Sequence, residues 1–157
     1  MLLPFVCIAL LVAATVYVIV RYALPGMTER HVVLVSEPDT PKSFGPSMAW
    51  IAVRSEESAR IVEVLGLQHT QQANWDAGIG AIYDAELADG HIFVSPPVKG
   101  YTLIAGVALP LPVGRGFIDK LTPLLATLAS EFKDVQYFAS FPVIDFFAWA
   151  RMDKGRT

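Results

Sequence analysis

Apolar residues fall along this chain in three patterns. The first is an unbroken run. From Leu2 to Val20 no side chain is charged, and Arg21 closes the stretch. At 1.5 Å per residue such a run reaches about 28 Å as a helix, close to the ~30 Å hydrocarbon core of a bilayer. It predicts a single membrane-spanning helix with the rest of the chain tethered behind it. A cleaved secretory signal fits less well: no Lys or Arg precedes the run, no clean A-x-A follows, and the run exceeds a usual signal core. Pro4 is tolerated in the first turn, where its missing N–H costs nothing.

The second pattern is helical spacing. Ser55 is placed to cap a helix over Glu56–Leu65, with Ile61, Val62 and Leu65 inward and Gly66 just past the end. Asn74 is placed to cap a second helix, Trp75–Leu87, in which Trp75, Ile79, Ile82 and Tyr83 recur at helical intervals. Gly78 and Gly80 each weaken that helix by about 1 kcal/mol relative to Ala. The strongest pattern covers Phe117–Phe132, where Ile118, Leu121, Leu125, Leu128 and Phe132 line one face. Pro123 requires either a short turn before it or Thr122 as the N-cap with Pro123 at the first helical position.

The third pattern is short β-rich runs: His31–Ser36, Ser47–Val53, Leu67–Gln72, His91–Ser95, Tyr101–Leu109, Val135–Ala139 and Pro142–Met152. The links are of hairpin length. They predict an α+β fold: an N-terminal transmembrane helix, then a mainly antiparallel sheet with two or three helices packed on one face. The division is 1–24 anchor, 25–46 Pro/Gly-rich connector and 47–157 α+β domain. The last strand, VIDFFAWARM, is apolar on both faces, the pattern of a fully buried strand. Asp153-Lys154-Gly155 then supplies turn chemistry near the end at Thr157. A frayed tail, a following strand supplied by a partner and a shortened chain all fit.

Composition narrows the function classes. The 54% hydrophobic content is inflated by the anchor, and what remains suffices for one compact domain. Net charge is −3 with no dense basic patch, which argues against nucleic acid and anionic lipid as partners. Arg21 and Arg30 flank the run on its carboxyl side, so the positive-inside rule favours a cytoplasmic over a periplasmic C-terminal domain, by a bias of two residues. The single cysteine, Cys7, excludes an intrachain disulfide.

The segments SMAWIAVRSEE, ANWDAGIGAIYD, HIFVSPPVKGYTLIAG and VQYFASFPVIDFFAWAR resemble a group of small bacterial α+β proteins. The resemblance implies an independent domain. Some similar small proteins accompany secreted toxins as immunity partners. Relatives carry a histidine-containing strand where this chain has Phe141–Phe147 and continue past the final turn; both features are missing here.

No catalytic constellation emerges. His31, His69 and His91 are far apart and offer no zinc spacing. There is no G-x-S-x-G, and neither Gly78-Ile79-Gly80 nor Gly114-Arg115-Gly116 ends in the G-K-[ST] of a phosphate loop. Asp76, Asp84, Glu86 and Asp89 read as a solvated acidic face. Asp145 stands out inside an apolar run, with Arg151 or Lys99 as possible counter-charges; the plainer reading puts it at an edge facing water. Trp75, Tyr101, Asp145, Trp149 and Arg151 are the binding candidates, because Trp and Tyr anchor interfaces. The sequence thus predicts a membrane-anchored, non-enzymatic protein-binding domain, in its concrete form an immunity-type protein with a toxin partner and no cofactor or metal. A small enzyme or ligand-binding domain with a pocket near Asp145 and Arg151 is the first alternative. A membrane-complex subunit packed through Ala9, Ala13 and Ala14 is the second.

Overall fold

The computed structural model describes Val12, residues 35–113, Gly116 and residues 118–153. The elements are β1 (Met48–Val53), α1 (Ser58–Val64), α2 (Trp75–Tyr83), β2 (Phe93–Val94), β3 (Thr102–Ala105), α3 (Leu121–Glu131), β4 (Asp134–Phe141) and β5 (Phe146–Asp153), with a 3₁₀ turn at Pro142–Ile144 before β5. Among the described residues no helix is long and apolar enough to cross a membrane. The expected anchor, Leu2–Val20, lies outside them apart from Val12, as does most of the His31–Ser36 strand; Val35 and Ser36 are not in a strand.

The sheet has five antiparallel strands in the order β2-β3-β1-β4-β5. β1 is central because it is apolar on both sides. Ala49, Ile51 and Val53 face one side and are fully buried; Met48 and Trp50 face the other. Ile51 lies between Ile104 of β3 and Tyr137 of β4.

The α+β class holds, but the helices do not share one face. Ile61 of α1 and Leu121, Leu125 and Leu128 of α3 pack with Ala49, Ile51, Val53, Val135 and Tyr137. Trp75 and Ile82 of α2 pack with Met48, Phe93 and Ala105, which alternation puts on the opposite face. Tyr137, with no exposed surface, donates its hydroxyl to the carbonyl of Pro110 at 3.2 Å, and burial pushes its pKa up to about 12.

Several boundaries shift for local reasons. Ser55 accepts a bond from the Glu57 N–H at 3.0 Å, and α1 begins at Ser58. Gly66 (φ 63°) closes it, as expected. The strand expected at Leu67–Gln72 is a loop: Gln68 to Gln72 are exposed, and His69 has φ 53°. α2 stops at Tyr83 because the Asp84 carboxylate takes the N–H groups of Glu86 and Leu87 and starts a new turn. α3 starts at Leu121 with Pro123 inside its first turn. Asp119 accepts from the N–H groups of Leu121 and Thr122, both at 2.9 Å, and Ile118 stays exposed ahead of the helix.

Residues 35–46 are fastened to α2. Asp39 accepts from the N–H groups of Trp75 and Asp76 at 2.8 and 2.9 Å. Asn74, the expected cap, accepts from Ala77 at 3.0 Å while its own amide donates to the Glu37 carbonyl. Lys42 pairs with Asp76 at 2.5 Å, and Phe44 meets the Trp50 ring edge-on at 5.4 Å.

The two α2 glycines have opposite roles. A Cβ on Gly78 would collide with the Phe93 ring, whereas nothing lies within 4 Å of one on Gly80. Gly78→Ala is expected to destabilise the protein by about 1–3 kcal/mol through overpacking, and Gly80→Ala to stabilise it by about 1 kcal/mol through helix propensity. Urea unfolding of the two variants, read by circular dichroism, checks the opposite signs.

Candidate functional site

The face that carries α2 is only half covered. α2 lies over β2, β3 and β1, and the β4–β5 half has no helix upon it among the described residues. Alternation along β4 turns Asp134, Gln136, Phe138 and Ser140 to this open side, and along β5 Phe147, Trp149, Arg151 and Asp153. Phe147 and Trp149 are 63% and 64% exposed. β5 is therefore an edge strand with one wet face. The buried strand expected from its double apolar pattern is corrected, because among the described residues no element covers one of those faces.

Trp149 lies opposite Phe138, and Phe138 stacks on Trp50 with ring centroids 5.2 Å apart and planes at 15°. Phe147 lies opposite Ser140. Together these residues line a shallow, open depression of about 360 Å³. Beyond it, the turn into β5 leaves Val143 and Ile144 exposed.

The other end of this face is polar. Asp134 is 6% exposed and accepts three bonds: from Arg151 Nε at 2.9 Å, the Tyr101 hydroxyl at 3.0 Å and Gln136 Nε2 at 3.1 Å. Burial pushes its carboxyl up, but the donors from Gln136, Tyr101 and Arg151, with the Arg151 charge, together outweigh that and hold it below the usual carboxylate range. A two-residue hairpin presents Tyr101: Val98 and Tyr101 bond reciprocally across Lys99 and Gly100, which both have positive φ.

The five sequence candidates thus separate. Tyr101 and Arg151 do meet, but on Asp134. Asp145 is not in a strand: it occupies the left-handed region (φ 51°, ψ 39°) in the turn ahead of β5, six residues before Arg151. Neither Arg151 nor Lys99 forms an ion pair with it. Trp75 is a core residue, 3% exposed, edge-on to Phe93 at 5.6 Å. Trp149 and Asp145 are both exposed, Asp145 facing water as its plainer reading had it. Asp134 and Gln136 were missed, because a charged residue before Val135–Ala139 reads as the polar boundary of a strand. Trp50 and Phe138 were visible only as aromatic content.

Chemically, a carboxylate saturated by three donors is a fixed structural charge, poorly suited to take up a proton as a base. The ring-lined depression suits apolar or aromatic groups, and the half-exposed Arg151, paired with Asp134, comes next after Trp149 on the same face of β5. Among the described residues no three His, Cys, Asp or Glu side chains could share a metal ion. No protein family, curated protein or solved structure matches the chain.

Asp134 carries a pH signature. Its folded pKa lies below the unfolded value of about 3.9, so its stabilisation is fully present above that value and is lost as pH falls through the folded one. Asp134→Asn is expected to cost about 1.5–3 kcal/mol at pH 7. The gap between wild type and variant should close with acidification below about pH 4. Urea midpoints taken from pH 7 to pH 2.5 check both the size and the closure.

Proposed function

We propose that this chain is a membrane-tethered, non-enzymatic protein-binding domain that holds its partner on the uncovered half of the sheet. The exposure of Phe147 and Trp149 beside the stacked Trp50–Phe138 pair carries the reading. Large rings left in water beside half-buried rings are costly for an isolated domain, and such patches mark interaction surfaces. Trp at the centre of a patch, with an Arg next to it on the same face, is the composition of binding hot spots. The apolar run Leu2–Val20 supports the tether, and Arg21 and Arg30 support a cytoplasmic domain at a bacterial inner membrane. The resemblance to immunity partners supports a secreted toxin as the bound protein.

The test uses the full chain in bacterial membranes. Wild type should stay in the pellet after a carbonate wash, recover a toxin on pull-down in mild detergent and protect cells from it. The double variant Phe147→Ser, Trp149→Ser should fold and melt as wild type does, since both rings are exposed, yet lose capture by about tenfold or more. Equal capture or equal protection by the variant removes the open face as the binding site. Release by carbonate, or a mature N-terminus beyond Leu24, removes the tether.

A further inference from the structure

We propose that β5 pairs edge to edge with β5 of a second copy, so that two five-stranded sheets run on as one. The inference rests on the backbone of the edge; it shares Trp149 with the ring-bearing face but does not require a partner bound there.

One hydrogen bond fixes the phase. The Arg54 N–H donates to the Asp134 carbonyl at 2.9 Å, so Asp134 turns its backbone groups towards β1. Antiparallel alternation then turns Val135, Tyr137, Ala139 and Phe141 towards β5, and their partners Met152, Ala150, Ala148 and Phe146 back towards β4. The bond from the Gly106 N–H to the Ala49 carbonyl on the other side of β1 gives the same phase. Left pointing outward are the N–H and C=O groups of Phe147, Trp149, Arg151 and Asp153.

Among the described residues no element covers this edge, and its only charged side chains are Arg151 and Asp153. β5 pairs with β4 without a bulge over eight residues and contains neither Pro nor Lys. The opposite edge, β2, is only two residues long, which is itself a guard. A row of outward backbone groups on a flat strand is satisfied by another extended strand, and β5 complements itself. Two-fold symmetry pairs residues of the same face. With the axis at Ala150, each Arg151 lies opposite Trp149 of the second copy and each Met152 opposite Ala148. Arg151 over an indole ring is a favourable pairing, made twice, and no like charges meet. With the axis at Trp149, Asp153 instead comes beside Asp145 of the second copy. Paired length and charge together select the first register: these two axes each pair seven residues of β5, an axis at Met152 would set Arg151 opposite Asp153 but pair only three, and of the two long registers only the first keeps Asp153 from Asp145.

The test oxidises the full chain in detergent micelles. In a Cys7→Ser background, Ala150→Cys would form a non-hydrogen-bonded pair across the axis, about 4.5 Å between Cα atoms and within disulfide reach. Ala150→Cys should give about tenfold more covalent dimer than Val107→Cys, which lies in the loop after β3. Adding Trp149→Pro removes an outward N–H but no β4–β5 bond. It should lower the dimer yield by about tenfold while the β signal in circular dichroism persists. Equal cross-linking at positions 150 and 107 overturns the proposal. So does a dimer that survives Trp149→Pro, or a cross-link from position 150 to a different protein.

Discussion

The two-sided burial of β1 is the constraint from which the rest of the domain follows. Its six residues alternate between two cores. Ala49, Ile51 and Val53 meet α1 and α3, while Met48 and Trp50 meet α2. A slip of one residue would exchange the two sets and put Trp50 where only Ile51 fits. Both hairpins, β2–β3 and β4–β5, dock on this strand, through β3 on one side and β4 on the other. The Tyr137 hydroxyl at Pro110 and the bonds of Ser58 and Thr102 to the carbonyls of Ser95 and Ser55 then tie the loops to a sheet already set.

Among residues 35–153 as described, three helices on two faces cover the five-stranded sheet unevenly. α1 and α3 share one side; α2 alone serves the other and reaches only the β2-β3-β1 half. The uncovered half grades from Asp134 and its three donors, through Gln136 and Arg151, to Phe138, Trp149 and Phe147. Burying Asp134 without those donors would be costly, so the polar end is fixed by its own chemistry. The ring end has no comparable internal reason to be where it is. That contrast is why the binding reading settles on the rings and not on the carboxylate.

The fold was legible where periodicity and capping agreed. Asn74 before Trp75, Gly66 after α1 and the Leu121–Leu125–Leu128 stripe all mark what the structure contains. It was illegible where two local devices competed. Asp84 cut α2 short because its carboxylate caps the following turn, which the apolar pattern through Leu87 hides. β5 read as buried because pattern reports apolarity, and apolarity does not say whether a helix arrives to cover it. The same gap misplaced Asp145, whose left-handed backbone belongs to a turn that the run VIDFF conceals. Of the site, Tyr101, Trp149 and Arg151 were visible as residue types. Asp134 was not, since its importance arises from strands distant in sequence.

The fastening of residues 35–46 onto α2 determines how the domain meets tension. Asp39 grips the first two N–H groups of α2, and the Asn74 N–H holds the Val35 carbonyl at 2.8 Å. By chain order, a pull arriving from the amino-terminal side loads these bonds before it reaches Met48. The grip on α2 must let go first, and the central strand stays shielded until it does.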